Sequence, residues 1–397
     1  GDVTWDQFLK EYAVKQLSIR TMVAKEAEAN GMGADDEARA EVQATIDNLK
    51  KSVKSEGYSF KAYLKAAYGQ GMTPSLFEEM LTTEEVTARY MQHYQSSLTY
   101  TVDELEADYQ EHPDSFNVAS YEYIYFKGSA PSTTDGDGNT VQPTEEASAA
   151  AKNAAAAAAR AALERYQNGE SLTAISEDLK DLGTYGSVDA GSNNGSAMSA
   201  WVFDNARTAG EAAVVEDDPN SYLVVFRSIG REEYNTVDVR HILFLVDSSS
   251  LDKDSETYDT DLQALKDAAK AKAEDALAQW QTTSGAEDAF AALANELSED
   301  GGSNTNGGLY TKITKGQMVT EFNDWCFDPA RKAGDTGIVY NEGSYTGYHV
   351  MYFVGQDVPA WQVSVEKHMA AEDYNVWVES LLEQANSQEL DGMKDVG

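Results

Sequence analysis

The sequence predicts an α+β chain in four parts: a helical N-terminal region, two tandem copies of one strand-and-helix domain, and a closing helix. Three observations carry this. Apolar residues recur at three- and four-residue steps through residues 4–98, the period of a helix face. The segment "WVFDNARTAG" at 201–210 is nearly rewritten as "WCFDPARKAG" at 325–334, 124 positions on. Around both, the order strand, polar loop, Ala-rich helix, shorter helix, repeated decamer, closing strand occurs twice, at about 117–232 and about 235–357. The repeating unit is therefore a domain of about 120 residues.

Taken in order, Trp5, Phe8, Leu9, Tyr12, Ile19 and Val23 form the stripe of a first helix. Asp35 caps a second, which runs through Val42, Ile46, Leu49 and Val53. A short segment around Phe60, Tyr63 and Leu64 follows. Thr73 then caps a long helix with Pro74 at its first position, where the missing N–H costs nothing. Thr101 and Glu104 have capping-box spacing, and that helix ends at Pro113.

At residue 117 the pattern changes. "ASYEYIYF" reads as a strand and the breaker-rich stretch after it as a loop, while the Ala run 148–163 reads as a helix rather than as low complexity. "VDVRHILFLV" at 237–246 opens the second copy, again followed by a polar loop and an Ala-rich helix. Beyond Pro359, Trp361, Val365, Met369, Trp377 and Leu381 lie at helical spacing; their apolar face needs a partner, for which the N-terminal helices are the natural candidate. The expected parts are 1–116, 117–234, 235–357 and 358–397.

Composition narrows the function. Sixty-eight acidic residues against thirty Lys and Arg give a net charge of −38, which repels nucleic acid and anionic lipid. No apolar run approaches the roughly 20 residues that span a bilayer. The single cysteine, Cys326, can form no internal disulfide and reads as a small buried residue. The five histidines are scattered without ligand spacing, so neither metal nor cofactor is expected. The chain opens already in helical pattern, which fits removal of an upstream targeting segment.

Chemistry concentrates in the second copy. His241 lies in its first strand and His349 in its closing strand, with Asp300 in "LSEDGG", Met318 and Phe322 in "KGQMVTEF", and Thr346 in "TGYHV". In this order and approximate spacing, residues 237–354 resemble the parvulin class of peptidyl-prolyl isomerases. The resemblance implies a small antiparallel sheet surrounded by helices, a hydrogen-bonded His241–His349 pair beneath the substrate, and Asp300 as the acid. It implies an apolar slot at Met318 and Phe322, and Thr346 as a hydroxyl beside the second histidine. Where parvulins usually read "GGDLGxF", this chain reads "GGLYTKI", which puts Tyr310 at a pocket leucine and Ile313 at the usual phenylalanine.

The first copy has Tyr123 and Tyr222 at the two histidine positions, and Met198 and Asn194 at those of Phe322 and Met318. It reads as a catalytically silent parvulin-like domain. The whole layout resembles extracytoplasmic foldases and chaperones of the SurA and PrsA type. That resemblance implies a helical chaperone region, proline-containing unfolded polypeptide clients, a signal or lipid anchor removed from the mature chain, and an assembly that allows a homodimer. Two functions compete: a foldase that isomerises Xaa-Pro bonds through 235–357, and a holdase that uses parvulin folds only to bind peptide.

Overall fold

A computed structural model describes residues 4–283 and 285–385. The chain divides into two compact units, one from 1–105 with 366–397 and the other 106–365. None of the described helices is long and apolar enough to cross a membrane.

The first unit is helical: α1 (Trp5–Ala29), α2 (Asp36–Ser55), α3 (Phe60–Tyr68), α4 (Pro74–Ser97) and the start of α5 (Val102–Glu111). The polar residues before the helices bind their first free amides. Asp35 accepts from Ala38 N at 2.8 Å and Thr73 from Leu76 N at 3.1 Å, while Glu104 reaches back to Thr101 N at 2.7 Å. Val42, Ile46, Leu64 and Phe77 form one core. A second core joins Val23, Ala27, Val86 and Tyr90 to Trp377 and Leu381 of the C-terminal helix, Ala360–Gln384. Trp377 stacks on Tyr94 at 4.1 Å and donates to both Glu26 oxygens at 3.2 Å.

The divisions between the two units fall at 105/106 and 365/366. Sequence character changes where the first strand starts, but packing changes earlier. Tyr109 and Trp361 already belong to the second unit, where the Arg231 guanidinium lies over both rings at 4.7 and 3.9 Å.

After the short α6 (Pro113–Phe116), the second unit contains the two copies. The first holds β1 (Val118–Phe126), β2 (Thr133–Thr134), β3 (Thr140–Val141), α7 (Glu145–Gln167), α8 (Leu172–Asp178), β4 (Gly183–Gly191), α9 (Ala197–Val202), β5 (Ala212–Asp217) and β6 (Asn220–Gly230). The second holds β7 (Asn235–Leu245), α10 (Tyr258–Gln281), α11 (Glu287–Leu297), β8 (Leu309–Ile313), α12 (Thr320–Cys326), β9 (Thr336–Asn341) and β10 (Gly347–Pro359). Their antiparallel sheets have the same order, β4-β1-β6-β5 and β8-β7-β10-β9. The stretch expected to be all loop carries the two-residue strands β2 and β3, which pair across Asp135.

Each sheet is covered on both faces. In the second copy Ile242, Phe244 and Val350 meet Ala269, Ala273 and Ala276 of α10, while Val237, Val239, Met351 and Phe353 meet Phe322 and Cys326 of α12. Ala155, Ala159 and Ala162 of α7 are buried in the same way. Alanines at helical spacing give the crossing helix a flat face that lies close to the sheet.

The repeated decamer is a structural clasp. In each copy the arginine folds over the tryptophan and donates to its carbonyl at 3.0 Å, Arg207 over Trp201 and Arg331 over Trp325. The closing glycines, Gly210 and Gly334, have φ of 86° and 87°, which a side chain strongly disfavours. Each donates its N–H to the closing strand, at Phe226 O and Phe353 O. Two copies exist because each sheet needs this turn to return the chain from helix to edge strand.

Candidate active site

The site is built on the centre of the second sheet. Antiparallel pairing sets Met351 opposite His241 and Leu243 opposite His349. Period-two alternation then puts both imidazoles on the α12 face. The rings are 4% exposed, and their Nδ1 atoms are 3.1 Å apart.

The 298–308 loop brings in the acid. Asp300 Oδ2 receives His241 Nε2 at 2.8 Å, Ser303 Oγ at 2.5 Å and the Tyr310 hydroxyl at 2.9 Å; Oδ1 accepts Gly302 N at 3.1 Å. The His241 bond, followed by the other donors, holds the carboxyl well below the usual carboxylate range. Burial, with the Asp300 bond, pushes the Tyr310 phenol up to about 12, so this wall carries one anion and one neutral hydroxyl.

An ionised Asp300 accepts, so His241 Nε2 donates and its Nδ1 is left to accept from His349 Nδ1. His349 Nε2 is then a bare lone pair, and it is buried without a hydrogen-bond partner. Burial pushes the His349 pKa down to about 4. The relay Asp300–His241–His349 thus ends in a neutral imidazole at neutral pH.

Above the relay opens a cavity of about 480 Å³, lined by apolar Met318, Val319, Phe322 and Leu243 and by Asp300, Gly301, Gly302 and Tyr310. Both histidines, Gln317 and Tyr345 complete it. The Phe322 ring stands edge-on to both imidazoles, with centroids 5.4 and 5.6 Å away.

Six of the eight residues singled out from sequence meet here: His241, His349, Asp300, Tyr310, Met318 and Phe322. Thr346 does not. It stands in the β9–β10 turn, just before β10 begins, and its hydroxyl closes that turn with Gly343 O at 2.7 Å. Ile313 does not either, being fully buried and paired with Val237 under the wall. Sequence reasoning missed Ser303, Leu243, Gln317 and Tyr345. Ser303 had a legible signal, three residues after the acid in a Gly-rich loop; Tyr345 had none, because its role follows from the β9–β10 turn.

The first copy lacks this chemistry. Tyr123 pairs with Val224 and Tyr222 with Tyr125, the register of the two histidines. The Tyr123 ring lies over Gly186, where an added Cβ would fall 2.4 Å from it, and Met198 packs beneath these rings. Asn194 accepts from Ser199 Oγ at 2.6 Å instead of opening a wall. Only residues 179–182 join α8 to β4, so the acid-bearing loop has no counterpart. A larger cleft of about 760 Å³ on this copy is lined by Glu122, Arg227 and the start of α8; no histidine lines it.

Residues 221–356 match the family described as the PPIC-type PPIASE domain. The matched span takes in nearly all of the second copy, which is thus similar to a PPIC-type peptidyl-prolyl isomerase domain. Among solved structures the chain is similar to a PrsA peptidylprolyl isomerase from Bacillus anthracis, with 20% identity, 40% of this chain, 64% of that chain and a TM-score of 0.23. It is also similar to the foldase protein PrsA from Streptococcus pneumoniae, with 12% identity, 99% and 94% of the two chains and a TM-score of 0.26. A Campylobacter jejuni structure titled for PEB4 and the periplasmic protein Cj1289, two SurA-like chaperones, matches at 13% identity over 93% and 95%, with a TM-score of 0.18. The chain spans 64% of the length of the Bacillus anthracis relative. No curated protein matches it. The family match grounds the assignment of the second copy.

Proposed function

We propose that the protein is an extracytoplasmic foldase: its helical unit holds unfolded polypeptide, and residues 235–357 turn the Xaa-Pro bonds within it. The observation that carries this is the Asp300–His241–His349 relay under a cavity lined by both apolar and polar side chains. No bond is made or broken in the reaction, so neither nucleophile nor metal is required; the barrier is the roughly 20 kcal/mol of amide resonance.

A planar imide is charge-separated, with oxygen negative and nitrogen positive, whereas the twisted imide is less so. Met318, Phe322, Val319 and Leu243 would hold the pyrrolidine ring and strip water from the carbonyl. The fixed negative charge of Asp300 and the bare Nε2 of His349 then offer the planar oxygen a poor environment. The twisted form, which needs less solvation, is favoured by comparison.

Proline-peptide isomerisation by the full chain and by His241→Ala and Phe322→Ala tests this. Loss of about 10²-fold or more in kcat/KM for each is expected, the lower end of what a positioned group contributes. If the intact chain were no faster than these variants, the peptide-holding alternative would replace the foldase reading. Tyr310 is the residue that favours that alternative, since its hydroxyl narrows the slot and ties down the acid.

A further inference from the structure

We propose that the cavity prefers a cationic residue, lysine or arginine, immediately before the proline and turns away an anionic one. This rests on the isomerase reading above and specifies its substrate class. The cavity that would take the ring at Met318 and Phe322 is also lined by Asp300, Gly301, Gly302 and Tyr310, so a residue next to a bound proline lies near the carboxylate.

That part of the lining is negative and open. Asp300 is ionised; an added Cβ at Gly302 would lie 2.9 Å from the Tyr310 hydroxyl and 3.4 Å from Asp300 Oδ1, and one at Gly301 would meet nothing within 4 Å, so the two glycines leave the carboxylate uncovered on this side. The 298–308 loop, "SEDGGSNTNGG", holds Glu299 and Asp300 and no base. Glu299 is bound to Leu245 N and Lys272 Nζ, so the carboxylate presented to the cavity is that of Asp300. Among the described residues lining the cavity there is no Lys or Arg.

The mouth repeats the pattern. Tyr345 lines the cavity with a φ of 56° and is 68% exposed; a left-handed backbone at a bulky residue is costly and marks a constrained position. Two phenols at one rim, Tyr310 and Tyr345, suit the face of a cation. Beside this turn, where Val246 N donates to Thr346 O at 2.8 Å, the chain leaves β7 into a loop carrying Asp247, Asp252, Asp254 and Glu256 against Lys253 alone. A glutamate or phosphoserine before the proline would enter a site with no counter-charge, and discrimination by such repulsion is as effective as attraction.

The test uses the full chain and three peptides that differ only before the proline, with lysine, alanine or glutamate there. About a tenfold higher kcat/KM for the lysine than for the glutamate peptide is expected at low salt, narrowing several-fold at about 0.5 M salt as the charges are screened. In Asp300→Asn, slower overall, the ratio should approach one. Turnover of the alanine peptide with lysine and glutamate equal or reversed would overturn the proposal and leave the isomerase reading intact. Turnover of none would overturn the isomerase reading; calorimetric affinities of the same peptides would then decide the charge preference, tighter lysine binding retaining it and equal binding ending it.

Discussion

A buried imidazole with no partner on one nitrogen is a sensitive reporter. His349 has its pKa pushed down to about 4 from an ordinary 6.5, chiefly by burial. The folded state therefore binds fewer protons than the unfolded one between these values. Its contribution is fully present above pH 6.5 and is lost as pH falls through the window to 4, on the order of 3 kcal/mol in all. Denaturant titrations of the wild-type chain should show the corresponding midpoint falling across that window. In His349→Gln the slope should flatten, and an unchanged slope would show that the imidazole is not held neutral by the fold. Asp300 responds further down: its lowered pKa is a stabilisation present above the ordinary carboxylate range and lost below it. The isomerase rate should decline between about pH 6 and pH 4, where the His349 imidazole takes up its proton.

Among the elements, two short segments decide whether the site forms. Gly308, with φ 69°, passes so close to β7 that an added Cβ would lie 2.2 Å from His241 O, and its carbonyl accepts His241 N at 2.9 Å. Gly308→Ala should combine steric and backbone strain, costing upwards of 2 kcal/mol and cutting turnover, because it moves the loop bearing Asp300 and Ser303. A rate unchanged in this variant would mean that the loop does not set the acid. The decamer clasp is the second segment. Arg331→Lys keeps the charge but loses the planar stack on Trp325 and the Nε donor to its carbonyl; a loss of about 1–2 kcal/mol is expected in chemical denaturation.

For the molecule as a whole, the two copies share a fold but not the same site. Both have the sheet order, the Ala-faced helix and the clasp, while the first has tyrosines at the two histidine positions and a short connection in place of the acid-bearing loop. Placing Tyr123→His and Tyr222→His together in a chain already carrying His241→Ala should restore no isomerase activity. Recovery would show that the loop is dispensable. In the helical unit Trp377 and Leu381 complete the core with Val23 and Tyr90. Trp377→Ala should cost about 3–5 kcal/mol and lower the first transition of helical signal on heating.

Helix starts were written in the sequence because a cap is a local bond: Asp35, Thr73 and Thr101 each bind amides within three residues. The duplication was equally legible, since two copies of one fold must repeat the same clasp, alternation and small-residue faces. So was the set His241, Asp300, Met318, Phe322, His349, through the resemblance of its motifs to those of parvulins. What sequence could not supply was direction. Thr346 and His349 are near neighbours in the chain, yet one closes the β9–β10 turn and the other lies in the strand. Tyr310 and Ile313 share one side only because β8 changes register between Val237 and Val239 of its partner. Such choices depend on where a bulge or turn absorbs an extra residue, and on contacts from distant segments, as Ser303 makes with His241 at 3.2 Å. Periodicity sets which residues can be buried; the pairing of strands sets which of them meet.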